Sequence, residues 1–134
     1  MRALLVATLL TALVAPAAAA DTKPATPSSP GFASDAHFPE HGGPAIYAHV
    51  CAGCHMEDAR GASGAGAYPA LAGDTRLAVT GYPITIVLHG HKAMPPLGEY
   101  LSDRQVADVV NYVRTHFGNH YGDAATPAEV KAAR

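Results

Sequence analysis

The stretch Cys51-Ala52-Gly53-Cys54-His55 contains both cysteines of this 134-residue chain and places a histidine directly after the second one. The C-x-x-C-H pattern indicates covalent attachment of a c-type haem, since two thiols at this spacing add to the two vinyl groups of one porphyrin. The imidazole that follows can then bind the iron as the proximal axial ligand. A C-x-x-C pair alone also occurs in redox disulfides and in halves of zinc sites, so the rest of the chain has to distinguish these three interpretations.

The first 20 residues have the organisation of a targeting segment. Arg2 precedes an apolar run over residues 3–14, and Pro16 leads into alanines at positions 18–20. This pattern predicts a secretory signal peptide cleaved after Ala20, because the last residues form an A-x-A cleavage site. An uncleaved anchor would need about 20 apolar residues, more than the run before Pro16 contains. We therefore expect a periplasmic protein with no stable membrane span after cleavage.

Composition limits the part of the chain after residue 20 to one small domain. The chain has 9 Lys and Arg against 11 Asp and Glu, so a nucleic-acid partner is not expected, and two cysteines in one motif exclude a disulfide framework. Residues 21–43 are rich in Pro, Gly and Ser and predict a flexible leader. Residues 44–134 then form the domain. It contains no Trp, and a buried macrocycle would complete its thin core.

Two helices are predicted around the cysteine motif and in the middle of the domain. Pro44, at a first helical position, begins an apolar face that continues into the motif and brings the two cysteines to neighbouring positions on one side. Residues 60–67 follow without periodicity and with three glycines, which predicts a loop. Residues 81–90 then carry a second apolar stripe between two glycines, which predicts a short helix.

The C-terminal part of the domain carries the strongest helical signals. Ser102 and Gln105 form a capping box before valines at helical spacing, which predicts a long helix that runs to about Phe117. Thr126 repeats the capping signal together with a glutamate three residues later, and it predicts a terminal helix from about residue 127 to 133. A helix this short is marginal unless it docks on the rest of the domain.

The segment from residue 68 to 73 offers a partner for the proximal histidine. A haem-ligating imidazole needs its other ring nitrogen satisfied, and a backbone carbonyl is a common acceptor. Pro69 lies in an extended turn and has a carbonyl but no N–H. We predict that Pro69 accepts the hydrogen bond of His55 and that Leu71 packs on the porphyrin.

The second axial ligand is predicted by elimination. After signal cleavage only Met56 and Met94 remain as methionines, and Met56 follows the proximal histidine too closely to reach the opposite face of a haem. Met94 precedes two prolines that fix the backbone, so we predict that its thioether binds the iron. Imidazole ligation by His89 or His91 is the competing assignment. The remaining histidines are expected to be solvated or hydrogen-bonded, at positions 37, 41, 49, 116 and 120.

Taken together, these segments resemble the class I cytochrome c family in its small bacterial periplasmic form. The resemblance covers residues 44–118 and depends on the C-x-x-C-H motif, on the Pro69 segment and on the Met94-Pro-Pro loop. It implies an all-α fold with roughly three to five helices wrapped around one covalently attached haem c and its iron. The sequence around Met94 and after Phe117 is most similar to cytochrome subunits of periplasmic alcohol, aldehyde and sugar dehydrogenases.

The resemblance implies single-electron transfer from a periplasmic dehydrogenase to an oxidase or another cytochrome, without substrate chemistry. The alternative to a free carrier is a dedicated electron-transfer subunit of a dehydrogenase complex. The chain departs from the dehydrogenase subunits, which often carry several haems and a membrane anchor, because it has one motif. It also lacks the lysine-rich docking face of mitochondrial cytochrome c. We therefore expect docking through an apolar rim formed by residues 52, 53, 93, 95 and 96.

Two other functions compete with the electron carrier. The first is a haem enzyme or gas sensor in which Met94 leaves the iron and the distal position opens. The second is a thiol or zinc module without haem. Optical spectra and the retention of haem on the denatured polypeptide distinguish the three.

Overall fold

The computed structural model describes residues 37–64 and 66–134. The predicted signal peptide and the predicted leader up to residue 36 lie outside these ranges. Within the described ranges the chain is mostly helical, which confirms the all-α prediction in its main feature. None of the helices described there combines the length and the apolar character that crossing a bilayer requires.

The first helical run carries the cysteine motif. It consists of α1 (Gly43–Ile46), a π-helical turn (Tyr47–Cys51) and α2 (Ala52–His55), one directly after the other. Pro44 lies in the first turn, as predicted. The π-helical turn is a departure from the predicted continuous α-helix, and hydrophobic periodicity contains no signal for such a one-residue insertion. The run ends at Met56, whose φ of 66° is outside the helical region.

A small hairpin follows in the segment predicted as a loop. Strands β1 (Ala62–Ser63) and β2 (Ala67–Tyr68) pair antiparallel, with residue 62 opposite 68 and residue 63 opposite 67. The loop prediction was wrong for Ala62, Ser63 and Ala67, because two-residue strands are too short to show an alternating pattern, whereas Tyr68 belongs to the segment predicted as an extended turn. Gly61 lies at φ 66° and crosses so close to the carbonyl of Tyr68 that a Cβ would clash with it.

The middle of the domain contains a 3-10 turn (Thr75–Ala78) and helix α3 (Gly81–His89). The 3-10 turn is capped by Asp74, whose carboxylate accepts from the backbone N–H of Arg76 at 3.0 Å. Helix α3 has the predicted bounds and buries Ile84 and Leu88 on its inner face.

Helix α4 (Asp103–Thr115) is the longest helix of the described residues. Its capping box is confirmed: the Ser102 hydroxyl accepts from the Gln105 N–H, and the Gln105 side chain accepts from the Ser102 N–H at 2.9 Å. The same Gln105 amide donates to the carbonyls of Phe38 at 2.7 Å and Glu40 at 2.9 Å. The C-terminal end of the predicted leader is therefore hydrogen-bonded to the start of α4.

Helix α5 (Pro127–Ala132) confirms the predicted terminal helix, including its capping box of Thr126 and Glu129. The helix docks on α4, and its Val130 side chain is 0% exposed. The amide of Asn111 in α4 makes two bonds with the backbone of Ala125, donating to its carbonyl at 2.9 Å and accepting from its N–H at 2.7 Å. These contacts provide the tertiary support that so short a helix needs.

A buried guanidinium connects three parts of the core. The Arg114 side chain is 0% exposed. It donates to the carbonyls of Leu77 at 2.8 Å and Ala78 at 3.1 Å, and to both the carboxylate and the carbonyl of Asp123. Because a buried charge is tolerated only when it is hydrogen-bonded, these acceptors explain how Arg114 fits into the core. The side chain ties the 3-10 turn and the loop after α4 to helix α4.

Candidate functional site

The six residues predicted as site residues line one cavity of about 660 Å³. A volume of this size is typical of cofactor sites, which span roughly 300–1,000 Å³. The walls come from the first helical run, the hairpin, α3, the segment after α3, and α4. The site residues that the cavity brings together are Cys51, Cys54, His55, Pro69, Leu71 and Met94.

His55 ends the first helical run with its ring turned into the protein. Its side chain is only 8% exposed, and Nδ1 lies 3.0 Å from the carbonyl oxygen of Pro69. Because a carbonyl can only accept, Nδ1 carries the proton in this bond. The lone pair of the neutral ring is then on Nε2, which is the nitrogen free to bind a metal.

The Pro69 segment is held against the end of the helical run by backbone bonds. The N–H groups of Leu71 and Ala72 both donate to the carbonyl of Ala59, at 2.8 and 3.0 Å. The buried amide of Asn119 donates to the carbonyls of Leu71 and Val113, each at 2.8 Å. Sequence reasoning missed Asn119, because one of its acceptors, the carbonyl of Leu71, lies 48 residues away and no local sequence pattern indicates this contact.

The two cysteine thiols differ in their surroundings. Cys51 is half-buried and Cys54 is exposed. Burial, with a smaller contribution from the charge of Cys54, raises the pKa of the Cys51 thiol to about 12. A redox cysteine or a zinc ligand needs the thiolate, whose charge this position penalises. A thioether carries no charge, so the position suits a sulfur that is bonded to carbon on both sides.

Met94 lies on a short turn that begins directly after α3. The backbones of His91 and Met94 exchange two hydrogen bonds of 3.0 Å each, which closes the turn. Further along, the N–H of Leu97 donates to the carbonyl of Val87 at 2.9 Å and returns the chain to α3. The Met94 side chain is half-buried and lines the cavity.

Only one of the two competing histidines lines this cavity. His91 does so, whereas the cavity lining does not include His89. The Nε2 of His89 instead pairs with the carbonyl of Ala133 at 2.9 Å.

A charged pair also lines the cavity, together with an aromatic ring. Arg76 donates to both carboxylate oxygens of Asp74 at 2.9 and 2.8 Å, and its guanidinium carbon lies 5.9 Å from the centre of the Tyr82 ring. Burial favours a higher pKa for Asp74, but the side-chain and backbone hydrogen bonds of Arg76 outweigh it and lower that pKa. Sequence reasoning did not single out this pair, whose members line the cavity only because the 3-10 turn folds beside α3.

Apolar side chains form most of the remaining wall. Leu77 comes from the 3-10 turn, Val87 from α3, and Val109, Val110 and Val113 from α4. An apolar cavity with two thiols, one buried imidazole and one thioether on its walls has the chemistry that a covalently attached metal porphyrin requires. The residues present therefore fit haem c.

Comparison with known proteins agrees with this fit. The family model described as "Cytochrome C oxidase, cbb3-type, subunit III" matches residues 39–113. The fructose dehydrogenase cytochrome subunit of Gluconobacter japonicus is 33% identical over 107 residues, covering 69% of this chain and 22% of that protein. The cytochrome c subunit of alcohol dehydrogenase (quinone) from Komagataeibacter europaeus is 35% identical over 102 residues, covering 66% of this chain and 21% of that protein.

A third relative is the gluconate 2-dehydrogenase cytochrome c subunit of Pantoea cypripedii, 33% identical over 110 residues, with coverage of 69% of this chain and 24% of that protein. The matched region thus spans about a fifth to a quarter of the length of these relatives. The relatives are electron-transfer components, and the family's cofactor is covalently bound haem c with its iron. The predicted relationship to c-type cytochromes and to dehydrogenase cytochrome subunits is confirmed: the chain belongs to the c-type cytochrome family described as cytochrome c oxidase, cbb3-type, subunit III.

Proposed function

We propose that this chain is a single-electron carrier in which Cys51 and Cys54 hold haem c through thioethers and His55 and Met94 bind the iron from its two faces. When bound, haem c supplies one-electron chemistry, because its iron is stable as both Fe(II) and Fe(III). The observation that carries the proposal is that one apolar cavity is lined by both thiols, by an imidazole with its Nδ1 already bonded, and by the thioether of a closed turn.

His55 has a fixed orientation for this role. The bond from Nδ1 to the Pro69 carbonyl fixes the orientation of the ring and leaves Nε2 as the nitrogen that can bind the iron. Leu71 lines the same cavity and is proposed to pack on the porphyrin, excluding water from the proximal side.

Met94 is proposed to close the distal side. A thioether ligand stabilises the reduced state and raises the reduction potential. If His55 and Met94 both bound the iron, oxygen and peroxide would have no place to bind there, which would suit a carrier and not an oxidase. The two hydrogen bonds between His91 and Met94 support this role, since they hold the turn in one conformation.

The names of the relatives suggest the partners. Because they are cytochrome subunits of dehydrogenases, we propose a dehydrogenase as electron donor, either as a separate partner or in a permanent complex, and an oxidase or another cytochrome as acceptor. We propose the periplasm as the location, with residues 1–20 as signal peptide, 21–43 as leader and 44–134 as the cytochrome domain. Gly53, Ala93, Pro95 and Pro96 are exposed, and Ala52 is half-buried, which supports the proposed docking rim.

Optical spectra of the purified holoprotein test the proposal. We expect a low-spin oxidised spectrum with the weak long-wavelength band of a thioether bound to iron. Met94→Ala should retain haem after denaturation but lose this band, become sensitive to carbon monoxide and lower the reduction potential. Met56→Ala is the matched control and should keep the wild-type spectrum.

Three outcomes would contradict the proposal in different ways. A wild-type spectrum that is high-spin and responds to carbon monoxide would indicate an open distal site and favour a haem enzyme or gas sensor. An unchanged band in Met94→Ala would mean that another residue is the distal ligand. Absence of haem from the denatured polypeptide would exclude covalent attachment altogether.

A further inference from the structure

We infer that Arg134, together with the backbone carbonyl of Ala133, is a clamp that positions the Met94 segment, defined here as residues 90–98. The inference rests on the proposed function, because it assigns these residues a role in keeping the Met94 thioether at the iron. The clamp connects the end of helix α5 to both sides of the segment.

The Met94 segment has few backbone bonds of its own near its centre. Hydrogen bonds connect His91 with Met94, and Leu97 and Gly98 return to the carbonyls of α3 at 2.9 and 3.2 Å. Pro95 and Pro96 lie between these two groups and have no N–H to donate. The part of the segment directly after Met94 is therefore held only through its ends.

Side-chain packing on the outer side of the two prolines is also incomplete. A groove of about 570 Å³ lies there, and its walls include Pro95, Pro96 and Tyr100 as well as Arg134. A segment that is open on this side has fewer packing contacts to resist displacement. Polar contacts at its ends then have a larger share in holding it.

Arg134 supplies such contacts at the C-terminal end of the segment. Its guanidinium donates to the carbonyl of Gly98, to the carbonyl of Leu101 at 2.7 Å and to the carboxylate of Asp103 at 2.5 Å. On the other side, Nε2 of His89 pairs with the carbonyl of Ala133 at 2.9 Å. His89 directly precedes the segment and Gly98 ends it, so two consecutive residues contact both of its ends.

The clamp is itself anchored to the core. Val130 is 0% exposed and docks α5 on α4, and the Ala133 N–H donates to carbonyls of the preceding turn, at 3.1 Å to both Glu129 and Val130. The Arg134 side chain remains 34% exposed, so water competes for its acceptors. We therefore expect a measurable but moderate effect on the segment.

Binding of imidazole to the oxidised holoprotein tests the clamp, because imidazole competes with Met94 for the iron. Arg134→Gln should raise the apparent imidazole affinity about five- to tenfold, the factor that corresponds to loss of roughly one ordinary net hydrogen bond, because water already weakens the bonds of this partly exposed guanidinium. Arg134→Lys should give a smaller increase, since one ammonium cannot match the three acceptors in the geometry of a guanidinium.

Arg104→Gln is the matched control. Arg104 also lies near the start of α4, and the hydrogen bonds found for its side chain go to the carboxylate of Asp108, at 3.1 and 3.2 Å. This variant should bind imidazole like the wild type. Denaturant unfolding of all variants separates a positioning role from general destabilisation. If Arg134 is a clamp, the change in imidazole affinity follows the change in the free energy of unfolding only weakly. If Arg134 is purely structural, the two quantities change together.

The results distinguish this inference from the proposed function. If the wild type lacks the thioether–iron band, the proposed function fails and the clamp has no ligand to position. If the wild type has the band but Arg134→Gln and Arg134→Lys bind imidazole like Arg104→Gln, the clamp alone is overturned. If Arg134→Gln folds too poorly to be isolated with haem, the Arg134→Lys variant decides by the same comparison.

Discussion

Replacing Arg114 with methionine tests whether the buried guanidinium holds the core together. Methionine has a similar length and no charge, so Arg114→Met removes every hydrogen bond of the side chain and leaves the volume nearly filled. The bonds lost are those to the carbonyls of Leu77 and Ala78 and to the carbonyl and carboxylate of Asp123. The variant therefore detaches the 3-10 turn and the loop after α4 from helix α4.

The expected size of the effect follows from the burial of each acceptor. Truncating one partner of a fully buried ion pair typically costs about 3–5 kcal/mol. The cost should be lower here, because the side chain of Asp123 is 66% exposed and returns to water when its partner is removed. The carbonyl of buried Leu77 has no such access, and leaving it unpaired costs about 1–3 kcal/mol. We expect Arg114→Met to lower the free energy of unfolding by about 2–3 kcal/mol.

Urea unfolding of the holoprotein, followed by far-ultraviolet circular dichroism and by haem absorbance, measures this change. The matched control is Arg104→Met, whose exposed ion pair with Asp108 should contribute less than about 1 kcal/mol. A loss for Arg114→Met no greater than that of the control would refute the reasoning. It would mean that the buried hydrogen bonds of Arg114 contribute no more to the free energy of unfolding than an ordinary surface ion pair does.

Two further predictions concern the phenol of Tyr47 and the carboxylate of Asp123. Tyr47→Phe should lower the free energy of unfolding by about 1 kcal/mol, because the hydroxyl donates to the carbonyl of Met56 at 2.8 Å; equal unfolding curves for the two proteins would disprove this. Burial raises the pKa of Tyr47 to about 12, so the difference should not vary through neutral pH. The hydrogen bond from Arg114 lowers the pKa of Asp123 below its ordinary 3.8, so its stabilising effect is present above that pH and is lost as the pH falls through the lower folded-state pKa. The free energies of unfolding of the wild type and of Asp123→Asn should therefore converge at low pH. A difference that stays constant with pH would contradict the stabilising role of the Asp123 carboxylate.

Features with local causes were predictable from the sequence. The capping boxes of Ser102 with Gln105 and of Thr126 with Glu129 depend on residues three positions apart, and both helices start where these pairs predict. The bounds of α3 follow from glycines at its two ends. The predicted site residues line one cavity, and their assignment as haem ligands stays a prediction.

Features with distant causes were not predictable. Arg114 bonds to carbonyls that lie 36 and 37 residues earlier in the chain, and an arginine near the end of a helix is ordinarily exposed. Asn119 reaches the carbonyl of Leu71 across 48 residues. Only the three-dimensional fold shows that these side chains support the walls of the cavity.

The positions of residues 38 and 134 have a consequence for how such a domain can be built into larger proteins. The N–H of Phe38 donates to the carbonyl of Tyr100 at 3.2 Å, and Arg134 donates to the carbonyl of the next residue, Leu101, at 2.7 Å. Phe38 and Arg134 thus both contact the Tyr100–Leu101 backbone, so these two positions lie at one corner of the described part of the chain. A unit with adjacent ends can be inserted into a longer polypeptide, or repeated along it, without distortion of its interior. This geometry suits a module whose relatives are about four to five times longer than the region they share with it.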